Sequence, residues 1–123
     1  MKFICIAANY NKNLTQLNMW LKQDPIIFMK HENAYLGGDK PFVYEEHYIN
    51  IVHELELVYK ICKKGKHIKV EDAKEYYDEV TVGIDLTDRG KQNELKKKGH
   101  PWEIAKAFDH SAVVGKFLPL LDA

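Results

Sequence analysis

The chain has 123 residues, enough for one domain with a modest core. Its 18 Lys and Arg balance 18 Asp and Glu, so no basic field recruits nucleic acid and no acidic tail signals disorder. No apolar run approaches a membrane span and the apolar start at Met1–Ala8 is too short for a signal peptide; two cysteines are too few for a disulfide framework, which points to buried free thiols in a reducing cytoplasm.

Residues 2–8 read as a buried strand ending at the Asn9-Tyr10-Asn11 turn signal. Asn13 can cap a short helix with Leu14, Leu17 and Leu21 along one side, which Asp24-Pro25 stops. Ile26–Met29 is a second strand, Gly37-Gly38-Asp39 a turn, and Pro41–Tyr44 a further short strand.

The run from Ile49 to Ile61 comes next, and strand alternation divides it into two faces. Ile51, His53, Leu55, Leu57, Tyr59 and Ile61 share an apolar face suited to a core. Glu54 and Glu56 share the other, bracketed by Val52 and Val58. Partial burial beside valines raises the cost of ionising both glutamates, a conflict that a hard divalent cation resolves.

After the Lys63-Lys64-Gly65-Lys66 loop, Ala73, Tyr76, Tyr77 and Val80 fall at helical spacing and predict a helix over Glu71–Val80. Val80–Leu86 then alternates with period two, placing Asp85 on a small-residue face that a ligand can approach closely. Asp88–Lys98 is polar and helical, closed by Gly99, and Val113–Leu118 is the last strand. His31, His47, His67, His100 and His110 are scattered and read as surface or loop residues. Strands outnumber helices without simple βαβ order, so the fold class is α+β with a mixed sheet.

Several stretches together resemble the fumarylacetoacetate hydrolase family. They are His53-Glu54-Leu55-Glu56-Leu57, Gly83-Ile84-Asp85-Leu86-Thr87, and the run from Lys97 through Gly99-His100-Pro101-Trp102 to Asp109; Cys5–Tyr10 and Ile27–Lys30 are similar to the opening strands of its short, single-domain branch. The resemblance implies a mixed β-sheet roll, usually dimeric, binding one Mg²⁺ or Mn²⁺ (Ca²⁺ being a further hard cation) through carboxylates that match Glu54, Glu56 and Asp85. It implies that Lys106 is the active-site lysine and that Arg89 and Gln92 help to hold the substrate. The implied substrate is a small 2-oxo or enol diacid, oxaloacetate- or acylpyruvate-like, on which members act as hydrolases, lyases or isomerases.

The chain departs from the family pattern at four places. Asn13 and Gln16 stand where hydrolases of the family have a His and a Glu, and neither amide accepts a proton at neutral pH. Ala8 replaces a common arginine. Thr87-Asp88-Arg89-Gly90 replaces Thr-Ala-Arg-Asp, which adds a carboxylate near a site already rich in them. The family's catalytic domain also continues past this point through further strands and a Thr-Gly-Thr-Pro-like loop. Residues 1–123 are therefore expected to be the N-terminal part of one such domain, an incomplete roll whose open edges favour a homodimer or higher self-association. The alternative is a truncated or degenerate, non-catalytic member that serves only as a binding or interaction module.

Overall fold

The computed structural model describes residues 1–10 and 24–120. The expected helix around Leu14, Leu17 and Leu21, and the positions Asn13 and Gln16, lie outside them. Strands β1 (Lys2–Ile6) and β2 (Ile27–His31) form an antiparallel pair. A five-stranded sheet contains β3 (Tyr35–Gly37), β4 (Ile51–Ile61), β5 (Tyr77–Asp88), β6 (Ala112–Val114) and β7 (Leu118–Pro119). Its order is β3-β6-β5-β4, with β7 also on β5, and the β3–β6 pair is parallel while the others are antiparallel. The class is α+β with a mixed sheet, as the sequence predicts.

β5 is the strand on which this sheet is built, because β4 lines one of its edges while β6 and β7 share the other. Gly83 makes the close packing possible. A Cβ there would stand 2.7 Å from Val58 Cγ2 and 2.9 Å from the Val113 carbonyl oxygen, closer than any side chain tolerates without backbone movement.

Helix α1 (Arg89–Lys98) leaves directly from β5. Asp88 caps it by accepting from the Lys91 amide at 3.1 Å. Gly99, at φ 65°, ends it in the left-handed conformation, and the Gly99 and His100 amides close back on Lys96 and Leu95. A single turn, α2 (Glu103–Lys106), follows.

Five expectations are corrected. The predicted helix over Glu71–Val80 is a 3₁₀ turn at Val70–Tyr76, after which β5 begins at Tyr77. The β-branched run from Val80 takes the ladder with β4, with Tyr77 opposite Ile61 and Val80 opposite Tyr59, and that pairing outweighs the weak helical stripe. Pro41–Tyr44 forms no strand: Phe42 packs instead on Tyr48 and Phe108, with ring centroids 6.0 and 6.3 Å away. The predicted strand over Val113–Leu118 is two short ones, β6 and β7, separated at Gly115–Phe117. Cys62 is free but exposed, because it lies just beyond β4, whereas Cys5 on β1 is half-buried.

The largest correction concerns the faces of β4. Its glutamate face turns inward and its apolar face outward, leaving Leu55 68 %, Leu57 56 % and Ile61 66 % exposed. The described core is small and lies elsewhere, formed by Ala34, Leu36, Leu86, Leu95, Ala105, Ala107, Ala112 and Val114. Alternation separates two faces, but only tertiary packing decides which one is covered.

Candidate active site

Residues directly opposite one another in an antiparallel pair project from the same face. Glu54 on β4 stands opposite Asp85 on β5, and Glu56 opposite Gly83. Glu54, Glu56, Asp85 and Thr87 therefore line one inward face, with the side-chain-free Gly83 beside Glu56. A run of small residues on β5 and two half-buried glutamates on β4 build a polar floor.

Lys106 reaches onto this floor from α2. Its ammonium donates to Asp85 Oδ2 at 2.7 Å, Thr87 Oγ at 2.7 Å and Glu54 Oε2 at 3.2 Å. The three N–H bonds of an ammonium are thereby used. The aromatic ring of Phe28 lies 5.0 Å from Lys106 Nζ, and the Ser111 hydroxyl holds the backbone by donating to the Lys106 carbonyl at 2.9 Å. The lysine is almost fully buried, so a surface role is excluded.

Arg89 opens α1 beside the same floor. Its guanidinium donates to Glu54 through Nη2 and to Gln92 Oε1 at 2.7 Å through Nη1, the i, i+3 spacing placing both residues on one helix face. Gln92 is buried. Burial raises the Glu54 carboxyl, but the ammonium of Lys106 and the guanidinium of Arg89 outweigh it and hold Glu54 below the ordinary carboxylate value. Glu56 forms no ion pair among the described residues: burial, then the Asp85 charge, pushes it up.

Asp88, expected to add charge to the site, does not face it. Period two turns it to the opposite side of β5, where it accepts from the Ile49, Asn50 and Lys91 amides at 3.0, 3.2 and 3.1 Å. Burial raises its carboxyl, but these backbone donors prevail and hold it below its ordinary value. Gly90, where the family pattern has Asp, packs directly on the Ile49 side chain, so a side chain there would collide with it. The five scattered histidines are all exposed.

One residue of the site went unassigned in the sequence. Lys30 of β2 is 1 % exposed, and its Nζ stands 2.7 Å from Asp85 Oδ1. It donates to the Leu86 and Ser111 carbonyls at 3.1 and 2.9 Å, while Asp85 Oδ1, fully enclosed, accepts no well-directed hydrogen bond from the described residues. The contact is an ion pair without a linear N–H···O bond. Burial lowers the Lys30 ammonium and Asp85 opposes that shift. The signal available beforehand was a lone charge sharing a strand face with Phe28 in an otherwise apolar run. Cys5 of β1 borders the same cluster, and burial followed by the Asp85 charge pushes its thiol up to about 11.

The donor chemistry of this floor suits a hard divalent cation: every candidate ligand is a carboxylate oxygen, and one of them, Asp85 Oδ1, is buried without a directed donor. Among the described residues no three acidic, His or Cys side chains are gathered about one point as a metal site; the Lys106 ammonium bridges Glu54 and Asp85. Among the same residues no helix is long and apolar enough to cross a membrane.

Comparison with known proteins bears on this arrangement. The family model described as fumarylacetoacetate (FAA) hydrolase C-terminal matches residues 2–122. An oxaloacetate tautomerase of Caenorhabditis elegans, named as mitochondrial, is 36 % identical over 121 residues, which is 98 % of this chain and 56 % of that protein. The oxaloacetate tautomerase YcgM of Escherichia coli is 31 % identical over 96 % of this chain and 54 % of its own. The crystal structure of a fumarylpyruvate hydrolase from Pseudomonas aeruginosa, in complex with Mn²⁺ and pyruvate, superposes with a TM-score of 0.82 at 31 % identity, covering 97 % of this chain and 53 % of that one. The chain thus spans about half the length of the curated relatives it matches.

Proposed function

Because the chain belongs to the fumarylacetoacetate hydrolase family, we propose that it acts on a small 2-oxo or enol diacid, with interconversion of the keto and enol forms of oxaloacetate as the first activity to test. The observation that carries this reading is the buried Lys106 ammonium held by Asp85, Thr87 and Glu54. Enolisation builds negative charge on the 2-oxo oxygen, and a buried ammonium held in place by three partners stabilises it without reorganisation.

Glu54, Glu56 and Asp85 would hold Mg²⁺ or Mn²⁺, with Ca²⁺ a third candidate. A divalent cation supplies Lewis acidity toward the carboxylate and keto oxygens of a 2-oxo acid. Arg89, steadied by Gln92, offers guanidinium donors to a substrate carboxylate. Thr87, fully buried, keeps the Lys106 ammonium on the floor.

Residues 1–123 serve on this reading as the N-terminal part of a single catalytic domain in the cytoplasm, and copies associate as a homodimer or larger. The test follows the enol absorbance of oxaloacetate with Mn²⁺ present. Acceleration above Mn²⁺ alone, lost in Lys106→Met, supports the reading; no acceleration by the unaltered chain sinks it. Decarboxylation of oxaloacetate is measured in the same assay. Acylpyruvate cleavage is expected to be slow, because Asn13 and Gln16 cannot accept the proton of an attacking water, assistance that is worth about 10²–10⁴-fold. Rapid cleavage would overturn that part.

A non-catalytic binding or interaction role is the second reading. The exposed Leu55, Leu57 and Ile61 favour it, since an uncovered apolar strip is a docking feature. Inactivity on both substrates, persisting in Asn13→His/Gln16→Glu, would select it.

A further inference from the structure

Asp85 is the only carboxylate among the described site residues that meets two ammonium groups, Lys106 at Oδ2 and Lys30 at Oδ1, each 2.7 Å away. Lys106 is shared with Glu54, and Glu54 also has Arg89. The three formal charges of Glu54, Glu56 and Asp85 are thus equalled in number by those of Lys30, Lys106 and Arg89, all paired to Glu54 or Asp85, before any ligand arrives. A divalent cation entering alone would leave two positive charges beside the buried Lys30, Lys106 and Asp85, where poor solvation makes them costly. A dianion entering with it would restore neutrality.

Lys30 tips this balance. Lys106 and Arg89 match positions expected to face substrate, whereas Lys30 faces away from it, its Nζ enclosed by Asp85 and the carbonyls of Leu86 and Ser111. Two carbonyls accept from the ammonium and a carboxylate oxygen stands 2.7 Å from it, surroundings that suit its charged form. Its one carboxylate contact among the described residues is Asp85, so its charge is felt most strongly there.

From this geometry we infer that Lys30 is a positioning residue that couples cation binding to anion binding: it weakens the hold of Asp85 on a bare divalent cation and favours the cation together with a dianionic 2-oxo acid. The inference rests on the metal-binding reading above. Coupling of this kind is reciprocal, so the anion tightens the cation by the factor with which the cation tightens the anion. Removing the Lys30 charge leaves the empty floor one charge more negative and thereby breaks the link.

The experiment titrates Mn²⁺ by calorimetry and by its electron paramagnetic resonance signal, with and without oxalate as the dianion. In the unaltered chain, oxalate is expected to tighten Mn²⁺ by at least about tenfold, a coupling of about 1.4 kcal/mol. Lys30→Gln keeps an amide donor for the buried carbonyls but removes the charge; it is expected to bind Mn²⁺ alone about tenfold more tightly and to lose most of the oxalate enhancement. Lys30→Arg is expected to keep both properties. A purely structural lysine would instead give a Gln variant with weaker Mn²⁺ binding and an unchanged enhancement, which would overturn the inference. If Lys30→Gln fails to fold, the unaltered chain still decides, since equal Mn²⁺ affinity with and without oxalate refutes the coupling. Absence of any Mn²⁺ binding would sink the metal reading and this inference together, whereas binding without coupling removes only the inference.

Discussion

Lys106 Nζ lies 2.7 Å from Asp85 Oδ2, and both side chains are almost entirely buried. Taking one partner away from such a pair leaves a charge in a medium that solvates it poorly, a loss of about 3–5 kcal/mol. Lys106→Met is therefore expected to lower unfolding free energy by about that amount, with Lys106→Met/Asp85→Asn recovering part of it. Urea denaturation measures both. A cost below about 1 kcal/mol for the single variant would mean that Lys30, the second cation on Asp85, suffices to hold its charge.

Asp88 ties β5, α1 and the segment before β4 through three backbone amides. Its carboxyl is held below its ordinary 3.8 by those donors. A depressed folded value means the unfolded chain binds the proton more readily, so stability from Asp88 is fully present above 3.8 and drains away as pH falls below it. Asp88→Ala should cost about 1–2 kcal/mol near neutrality, as lost helix caps do, and should flatten the acid limb of the stability profile. Parallel profiles for the two proteins, offset by a constant, would contradict this.

Much of this was legible in the residues, and the exceptions share a cause. Period two in Val80–Leu86 was enough to put Asp85 on the small-residue face, and the Asp88 to Gly99 pattern located α1 within a residue. Alternation also pairs Glu54 with Glu56, yet it carries no sign of which β4 face is covered, and apolar character alone points to the side that packing leaves exposed. Lys30 escaped notice because its partners lie 56 and 81 residues away, at Leu86 and Ser111. Local pattern has no access to contacts of that range. The helix expected over Glu71–Val80 failed for a related reason: its stripe was satisfied locally, while the competing ladder with β4 was not local.

Gly83 sits where β5 approaches both Val58 and the Val113 carbonyl. The added methyl of Gly83→Ala would meet a backbone oxygen at 2.9 Å, which cannot swing aside as a side-chain tip can. The expected cost is about 1–3 kcal/mol, as for other overpacked positions. Because the strand must shift under Asp85, weaker Mn²⁺ binding should accompany the loss. Thermal unfolding and a Mn²⁺ titration of the variant check the two effects separately, and a neutral substitution would show that the sheet is looser than its register implies.

The outward face of β4 sets the last expectation. Leu55, Leu57, Tyr59 and Ile61 alternate along one edge strand, and Val82, opposite Leu57, extends the strip onto β5. An exposed apolar face on the last strand of the described sheet invites association through surface burial. Burying a leucine side chain contributes about 1.5–3 kcal/mol, so two such contacts, repeated by two-fold symmetry, exceed what a weak dimer needs. The isolated chain should therefore sediment as a dimer or larger at micromolar concentration. Leu55→Lys/Leu57→Lys places charge on the strip without touching the glutamate face, because odd and even residues point apart. That variant should sediment as a monomer and retain its Mn²⁺ affinity. A monomeric unaltered chain at high concentration would refute the self-association, and a variant that stays associated would move the contact to another surface.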